Sequence, residues 1–253
     1  MNREELKELW HREEKASFQG WDFSHLKGRW QEEVLPWDYR EVVLANLQDS
    51  DQLLDMGTGG GEFLLTLHHP YPNTSVTESW APNIQLIQRR LAPLGIHIYP
   101  AKDQADIPCP DNCFDRIINQ HTAYDIRKIR RALRPNGLFI TQQVGCYNNA
   151  ELSQFLIPNF KTQFPIMTLD QNVKRFNSAG FHVETARERF VKLRFFDVAA
   201  IVYYAKIIQW EFPGFSVDRC FDALYALQQR IIKKGFIETH EHRFLLTARN
   251  IKD

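Results

Sequence analysis

Leu53-Leu54-Asp55-Met56-Gly57-Thr58-Gly59-Gly60-Gly61-Glu62-Phe63-Leu64-Leu65 decides the fold of this 253-residue chain. The apolar run reads as a buried strand, the glycines as a turn, and Glu62 onward as the first turn of a helix. Four of the chain's 12 glycines fall at positions 57–61, where they permit positive φ and close approach of a ligand to the backbone. The helix N-terminus beyond them presents free N–H groups to a polar ligand. A nucleotide-type cofactor is therefore expected here.

Outward from the turn, short strands alternate with helices. Ser75–Glu78, Ile96–Tyr99, Phe114–Asn119 and Leu138–Gln142 read as strands, and Asn83–Leu91 and Ile126–Leu133 as helices, the latter with a basic face of Arg127, Lys128, Arg130 and Arg131. Pro135-Asn136-Gly137 reads as a turn. This rhythm predicts an α/β fold: a Rossmann-like, doubly wound, mostly parallel sheet of seven strands. Past residue 168 the rhythm slows. Helices are expected over Leu169–Ala179, Asp197–Gln209 and Cys220–Lys233, with strands over Phe181–Arg194 and, antiparallel, Phe236–Arg249. The expected organisation is an N-terminal helical and aromatic extension over 1–47, then one domain over 48–253 with a helical lid around 195–235. Within the extension, Phe18, Trp21, Phe23, Leu26, Trp30 and Trp37 suggest an ordered aromatic flap.

Composition narrows the function. At 43% hydrophobic and 25% charged, the chain can bury an ordinary core. Lys+Arg and Asp+Glu are equal at 31 each, so no bulk electrostatic footprint for nucleic acid is present, although a local patch is not excluded. Cys109, Cys113, Cys146 and Cys220 are scattered, as in a reduced, cytoplasmic protein. Cys109 and Cys113 lack a second ligand pair, so no metal is expected. No apolar run approaches the ~20 residues of a membrane span.

The turn itself discriminates between cofactors. A dinucleotide fold wants G-x-G-x-x-G. Gly57 and Gly59 fit, but the third position is Glu62, whose charge would repel a pyrophosphate and suits a cofactor with a positive end. Asp55, Glu78 and Asp103 end or follow three consecutive strands and point at one crevice, where open sheets bind ligands. Glu78 stands where a carboxylate accepts both ribose hydroxyls, and Asp103 where one accepts from an adenine amino group.

With these residues the chain resembles the class I S-adenosylmethionine-dependent methyltransferases. Residues Leu54 to Gly61 resemble that family's first motif, and Thr77-Glu78 its acidic ribose-binding motif. Asp103 to Ile118 resemble its adenine loop and following strand, and Leu133 to Ile140 its turn into the next strand, with Asn136 where glycine is commonest. The resemblance implies S-adenosylmethionine as cofactor, held by Asp55, Gly57, Thr58, Gly59, Glu78, Asp103 and Gln104. It implies that Ser79 or, preferentially, Trp80 packs on the adenine, and that Asn119 lies near the methionine part.

The methyl acceptor is less legible. Asn119-Gln120-His121-Thr122 lacks the prolines of amino-methylating enzymes, and no cysteine follows that strand for base-carbon chemistry. His121 is the candidate general base. Trp37, Gln143, Tyr147 and Tyr203 are candidate pocket residues, because aromatic side chains of a lid and flap build an apolar site. A small-molecule acceptor is expected. RNA or protein methylation, cofactor binding without turnover, a nicotinamide oxidoreductase and a dimer through the aromatic helix are the competing readings. His240 and His242, flanking Glu241, are expected to be exposed.

Overall fold

A computed structural model describes residues 1–18 and 22–252. Trp21 of the expected flap lies outside them. In chain order the elements are α1 (Arg3–Lys15), β1 (Trp30–Glu32), α2 (Tyr39–Leu44), β2 (Leu53–Met56), α3 (Glu62–Leu65), β3 (Thr74–Glu78), α4 (Ala81–Arg90), β4 (His97–Pro100), β5 (Phe114–Gln120), α5 (Ile126–Ala132), β6 (Leu133–Val144), α6 (Ala150–Leu156), α7 (Leu169–Ser178), β7 (Phe181–Phe195), α8 (Val198–Ile207), α9 (Val217–Lys234) and β8 (Ile237–Asn250). They form two compact units. One comprises residues 1–35, 145–166 and 189–243; the other comprises 36–144, 167–188 and 244–253. The extension as far as Leu35 and the segment expected as a lid both fall in the first unit.

The second unit carries the expected sheet, with strand order β7-β8-β6-β5-β2-β3-β4. β2 lies between β3 and β5, parallel to both, and all four of its residues are buried. An apolar run covered on both faces is what a central parallel strand requires. β3 pairs with β4 and β5 with β6, also parallel, while the C-terminal strands are antiparallel. Two apolar layers sandwich this sheet. One is built on Met56, Ile117, Phe139 and Phe176, and the other on Leu53, Val76, Ile87 and Ile118. The expected turn at Pro135-Asn136-Gly137 lies within β6. Phe114 pairs with Leu133 and Arg116 with Leu138, so the intervening residues bulge out of register and Asn136 takes φ 60°.

The first unit is built around α8, whose Val198–Ala205 stretch is entirely buried. Leu6 and Trp10, four residues apart on α1, join the same core with Val217, Cys220, Leu224 and Leu227 of α9. α1 begins with a capping box, Asn2 and Glu5 each satisfying the other's backbone N–H. Asp197 caps α8 through the Ala200 N–H at 2.7 Å and accepts a two-point hydrogen bond from Arg29 at 2.7 and 3.0 Å. β1 pairs antiparallel with the end of β7. This eighth strand was not among the seven expected, because three residues carry no readable alternation.

One expectation is overturned here. His242 is fully buried and Glu241 nearly so, at 0% and 6% exposure. His242 lies under the rings of Phe190 and Tyr147, with centroids 4.5 and 5.5 Å away, and a Cβ on Gly145 would collide with it. Two histidines flanking an acid look solvated in sequence; tertiary packing covers one of them.

Candidate functional site

The glycine turn leaves β2 where Asp55 and Met56 pair with Val76 and Thr77 of β3. The Gly57 and Thr58 amides both donate to the Thr77 carbonyl, at 3.0 and 3.1 Å. Gly57, Gly59 and Gly61 take φ of 67°, 61° and 79°, the left-handed region that favours glycine. Gly57 is doubly constrained, since a Cβ there would stand 2.7 Å from Thr122 Cγ2. The loop after β5 therefore closes directly on the turn.

Glu78, nearly buried at the end of β3, organises the site. One carboxylate oxygen accepts from the Ser79 and Trp80 amides at 2.7 and 2.8 Å. The other accepts from the Gly59 amide at 3.0 Å and from Asn83 Nδ2 at 3.3 Å. These four donors match the roughly four acceptor sites of a carboxylate. Glu78 thus ties the entry to α4 to the glycine turn. Glu62 points elsewhere, pairing with Arg90, whose guanidinium also donates to the Gly60 carbonyl at 3.0 Å.

Asp55 is buried beneath the turn, and its pKa rises from 3.8 to about 6. Desolvation is the main cause; the Thr58 side chain opposes the rise and the Glu78 charge adds to it. Asp103 is exposed and shapes its own loop, accepting from the Ala105 amide at 2.9 Å. Gln104 beside it is exposed, and Trp80 leaves 55% of its surface open.

Asn119, at the end of β5, is fully buried. Its Oδ1 accepts from Thr141 Oγ1 at 3.1 Å and Gln143 Nε2 at 2.5 Å, while its Nδ2 has no partner. The Tyr39 hydroxyl accepts from the Asn119 amide at 3.1 Å and lies 3.0 and 3.1 Å from the Asn119 and Ile140 carbonyls, bridging β5 and β6. His121 is exposed in the left-handed region, at φ 58°, with its amide donating to the Gln142 carbonyl at 2.9 Å. Trp37 Nε1 donates to Gln142 Oε1 at 2.8 Å, which turns the Gln142 amide nitrogen toward His121 Nε2, 3.4 Å away.

The second unit therefore gathers Asp55, Gly57, Thr58, Gly59, Glu78, Ser79, Trp80, Asp103, Gln104 and Asn119 along the ends of adjacent parallel strands, with His121, Trp37 and Gln143 on the loop and strand beside them. Tyr147 and Tyr203 belong to the first unit. Tyr147 is 53% exposed beside His242 and Phe190. Tyr203 sits in the α8 core, its ring against Phe18 and His25 and its hydroxyl donating to the Ser17 carbonyl at 3.2 Å. Sequence reasoning missed Tyr39, Asn83, Arg90 and Thr122. Asn83 and Arg90, placed inside the helix after the acidic strand end, carried a usable signal; Tyr39 and Thr122 meet the site only through folding. Among the described residues no group of three or more His, Cys, Asp or Glu is arranged to hold a metal ion.

Residues 54–141 match the family model described as a methyltransferase domain. No curated protein matches the chain. Among solved structures, a provisionally assigned methyltransferase from Bacillus halodurans superposes at a TM-score of 0.58 and 13% identity, over 85% of this chain and 99% of its own. The YcgJ protein of Bacillus subtilis gives 0.54 at 13% identity, over 85% and 99%. A provisionally assigned sarcosine dimethylglycine methyltransferase from Galdieria sulphuraria gives 0.51 at 15% identity, over 84% and 83%. At these identities the structural likenesses establish the fold.

Proposed function

We propose that this chain, whose residues 54–141 match the methyltransferase-domain family model, is a class I methyltransferase that transfers a methyl group from S-adenosylmethionine to a small organic acceptor. The observation that carries the reading is a coincidence of position. The family match covers the glycine turn and the three acids, and all of them stand at the ends of the adjacent parallel strands β2, β3 and β4.

The residues fit the cofactor. When bound, it supplies an electrophilic methyl group on a sulfonium. Glu78 would accept the ribose hydroxyls, Asp103 and Gln104 would border the adenine, and the open face of Trp80 would stack on it. The unpartnered Asn119 Nδ2 is a buried donor left for a polar ligand group. Asp55 provides negative charge under the turn, which suits a cationic cofactor and not a pyrophosphate. Transfer needs an aligned, water-poor encounter more than a dedicated base. His121, exposed on the loop after β5, is the titratable side chain beside the strand ends and the candidate to take a proton from an acceptor that must lose one.

RNA or protein methylation is the second reading, supported by the basic face of α5. Against it, α5 delivers that face to the start of β6, away from the strand ends that carry the turn. Titration calorimetry separates the main alternatives. S-adenosylhomocysteine should bind one per chain and NAD should not; the reverse result overturns the proposal. Cofactor binding without methyl loss to any member of a broad acceptor panel would favour a non-catalytic binding protein.

A further inference from the structure

A cavity of about 260 Å³ is lined by Arg127, Arg130 and Arg131 of α5, Ala179 and Lys252. It lies in the second unit toward the strand ends opposite the glycine turn, since α5 runs from the end of β5 back to the start of β6. No acid lines it. Two of its cations have carboxylate partners: Arg131 pairs with Asp111 at 2.8 Å, and the exposed Arg127 with Asp125 at 3.4 Å. Arg130 and Lys252 have no carboxylate partner among the described residues. The Arg130 guanidinium packs against Gly180, where a Cβ would stand 2.9 Å from Nε, and that Nε is buried without a hydrogen-bond partner. That packing fixes the Arg130 guanidinium at the wall of the cavity.

The negative end of α5 would ordinarily discourage an anion, but here it is covered. Asn250 Nδ2 and Lys252 Nζ reach the Arg130 and Leu133 carbonyls at 3.2–3.5 Å as a group with Arg134, and the Asn112 and Cys113 amides take the Arg131 and Ala132 carbonyls at 3.0 and 2.9 Å. Lys252 also donates to Asn112 Oδ1. The lining that remains is cationic, with Arg130 and Lys252 lacking a carboxylate partner among the described residues.

We propose that this pocket binds a phosphate dianion, free or as the terminal monoester of a small molecule. Four cations in one lining, two of them without a carboxylate partner, suit the −1.5 to −2 of a phosphate monoester near neutral pH better than the single charge of a phosphodiester. The cavity exceeds the roughly 30 Å³ of a water severalfold.

The test is calorimetry on the full chain with inorganic phosphate at constant ionic strength, beside a small phosphate monoester and a single-stranded RNA 12-mer. Saturable binding of phosphate or monoester at one per chain is expected, tighter for the monoester if that is the natural source. Arg130→Gln should weaken it at least tenfold without changing S-adenosylhomocysteine affinity. If Arg130→Gln fails to fold, Lys252→Gln and Arg127→Gln carry the test, each weakening binding threefold or more. Absence of saturable binding, or variants that bind like the native chain, overturns the proposal. RNA binding tighter than phosphate with a steep salt dependence also overturns it, in favour of a polymer.

Discussion

The Gly59 amide donates to the Glu78 carboxylate at 3.0 Å, which ties the turn after β2 to the end of β3. The side chain expected to hold a ribose is also the one that shapes the loop around it. Glu78→Ala should therefore lower both S-adenosylhomocysteine affinity and stability. The affinity loss is set at roughly 10–100-fold and the stability loss at about 2 kcal/mol, because buried partners lose their acceptor. Calorimetry and urea denaturation would read the two effects. An unchanged affinity removes Glu78 from the cofactor site.

Gly57 and Gly59 share a left-handed backbone but not the same surroundings. At Gly59 nothing lies within 4 Å of an added Cβ, whereas at Gly57 the Thr122 side chain does. Gly59→Ala should cost only the backbone strain, about 1 kcal/mol. Gly57→Ala should cost clearly more, and Thr122→Ala in the same chain should recover part of the difference. Equal losses in the two single variants, measured by urea denaturation, would contradict the packing of the β5 loop on the turn.

Asp55 titrates near 6 when folded, against 3.8 unfolded. Between those values the folded state holds more protons, so this contribution to stability is complete below about pH 4 and is lost as pH rises through 6. Asp55→Asn abolishes it. The melting temperature of the variant minus that of the native chain should rise from pH 4 to pH 7 and then level off. A difference that stays flat across that window would show that Asp55 is charged at ordinary cost.

Glu211, in the first unit, is pushed up to about 7 by burial, against the hydrogen bonds from Asn149 and Asn148 and the charge of Arg243. Asn148 and Asn149 donate to it at 2.7 and 2.9 Å. The same sign applies: stability is held below about 4.5 and lost through 7. Glu211→Gln keeps one acceptor, and the unpartnered Asn149 Oδ1 can accept the new amide once Asn149 turns over. The variant should match the native melting temperature near pH 5 and exceed it by pH 8. Destabilisation at pH 8 would show that the charged form is the one the cluster is built for.

The strand–turn–helix unit was legible because its signals are local. Leu53–Met56 is apolar without interruption, and the glycines at 57–61 admit little but a tight turn. The three acids were legible through their spacing from successive strands. α6 was not, since Asn148 and Asn149, which open the segment, look like loop residues until Glu211 and Tyr204 receive them. β1 was too short to show a period. β7 and β8 were each placed within a residue or two of their ends, but nothing in their alternation shows that each runs through two separate packing units.

By itself the sequence determined the parallel order of elements from Leu53 to Val144, and the positions of the glycine turn and of the acids at the strand ends around it. These depend on periodicity, glycine conformation and the alternation of strand and helix, all of which act over a few residues. Only the tertiary structure decided that Thr122 packs on Gly57, that Glu78 accepts from the Gly59, Ser79 and Trp80 amides and from Asn83, that His242 is buried, and that Arg130 and Lys252 meet at one cavity. Each of those relationships joins residues distant in the chain, and their energies come from desolvation and close packing, which have no value until the partner arrives.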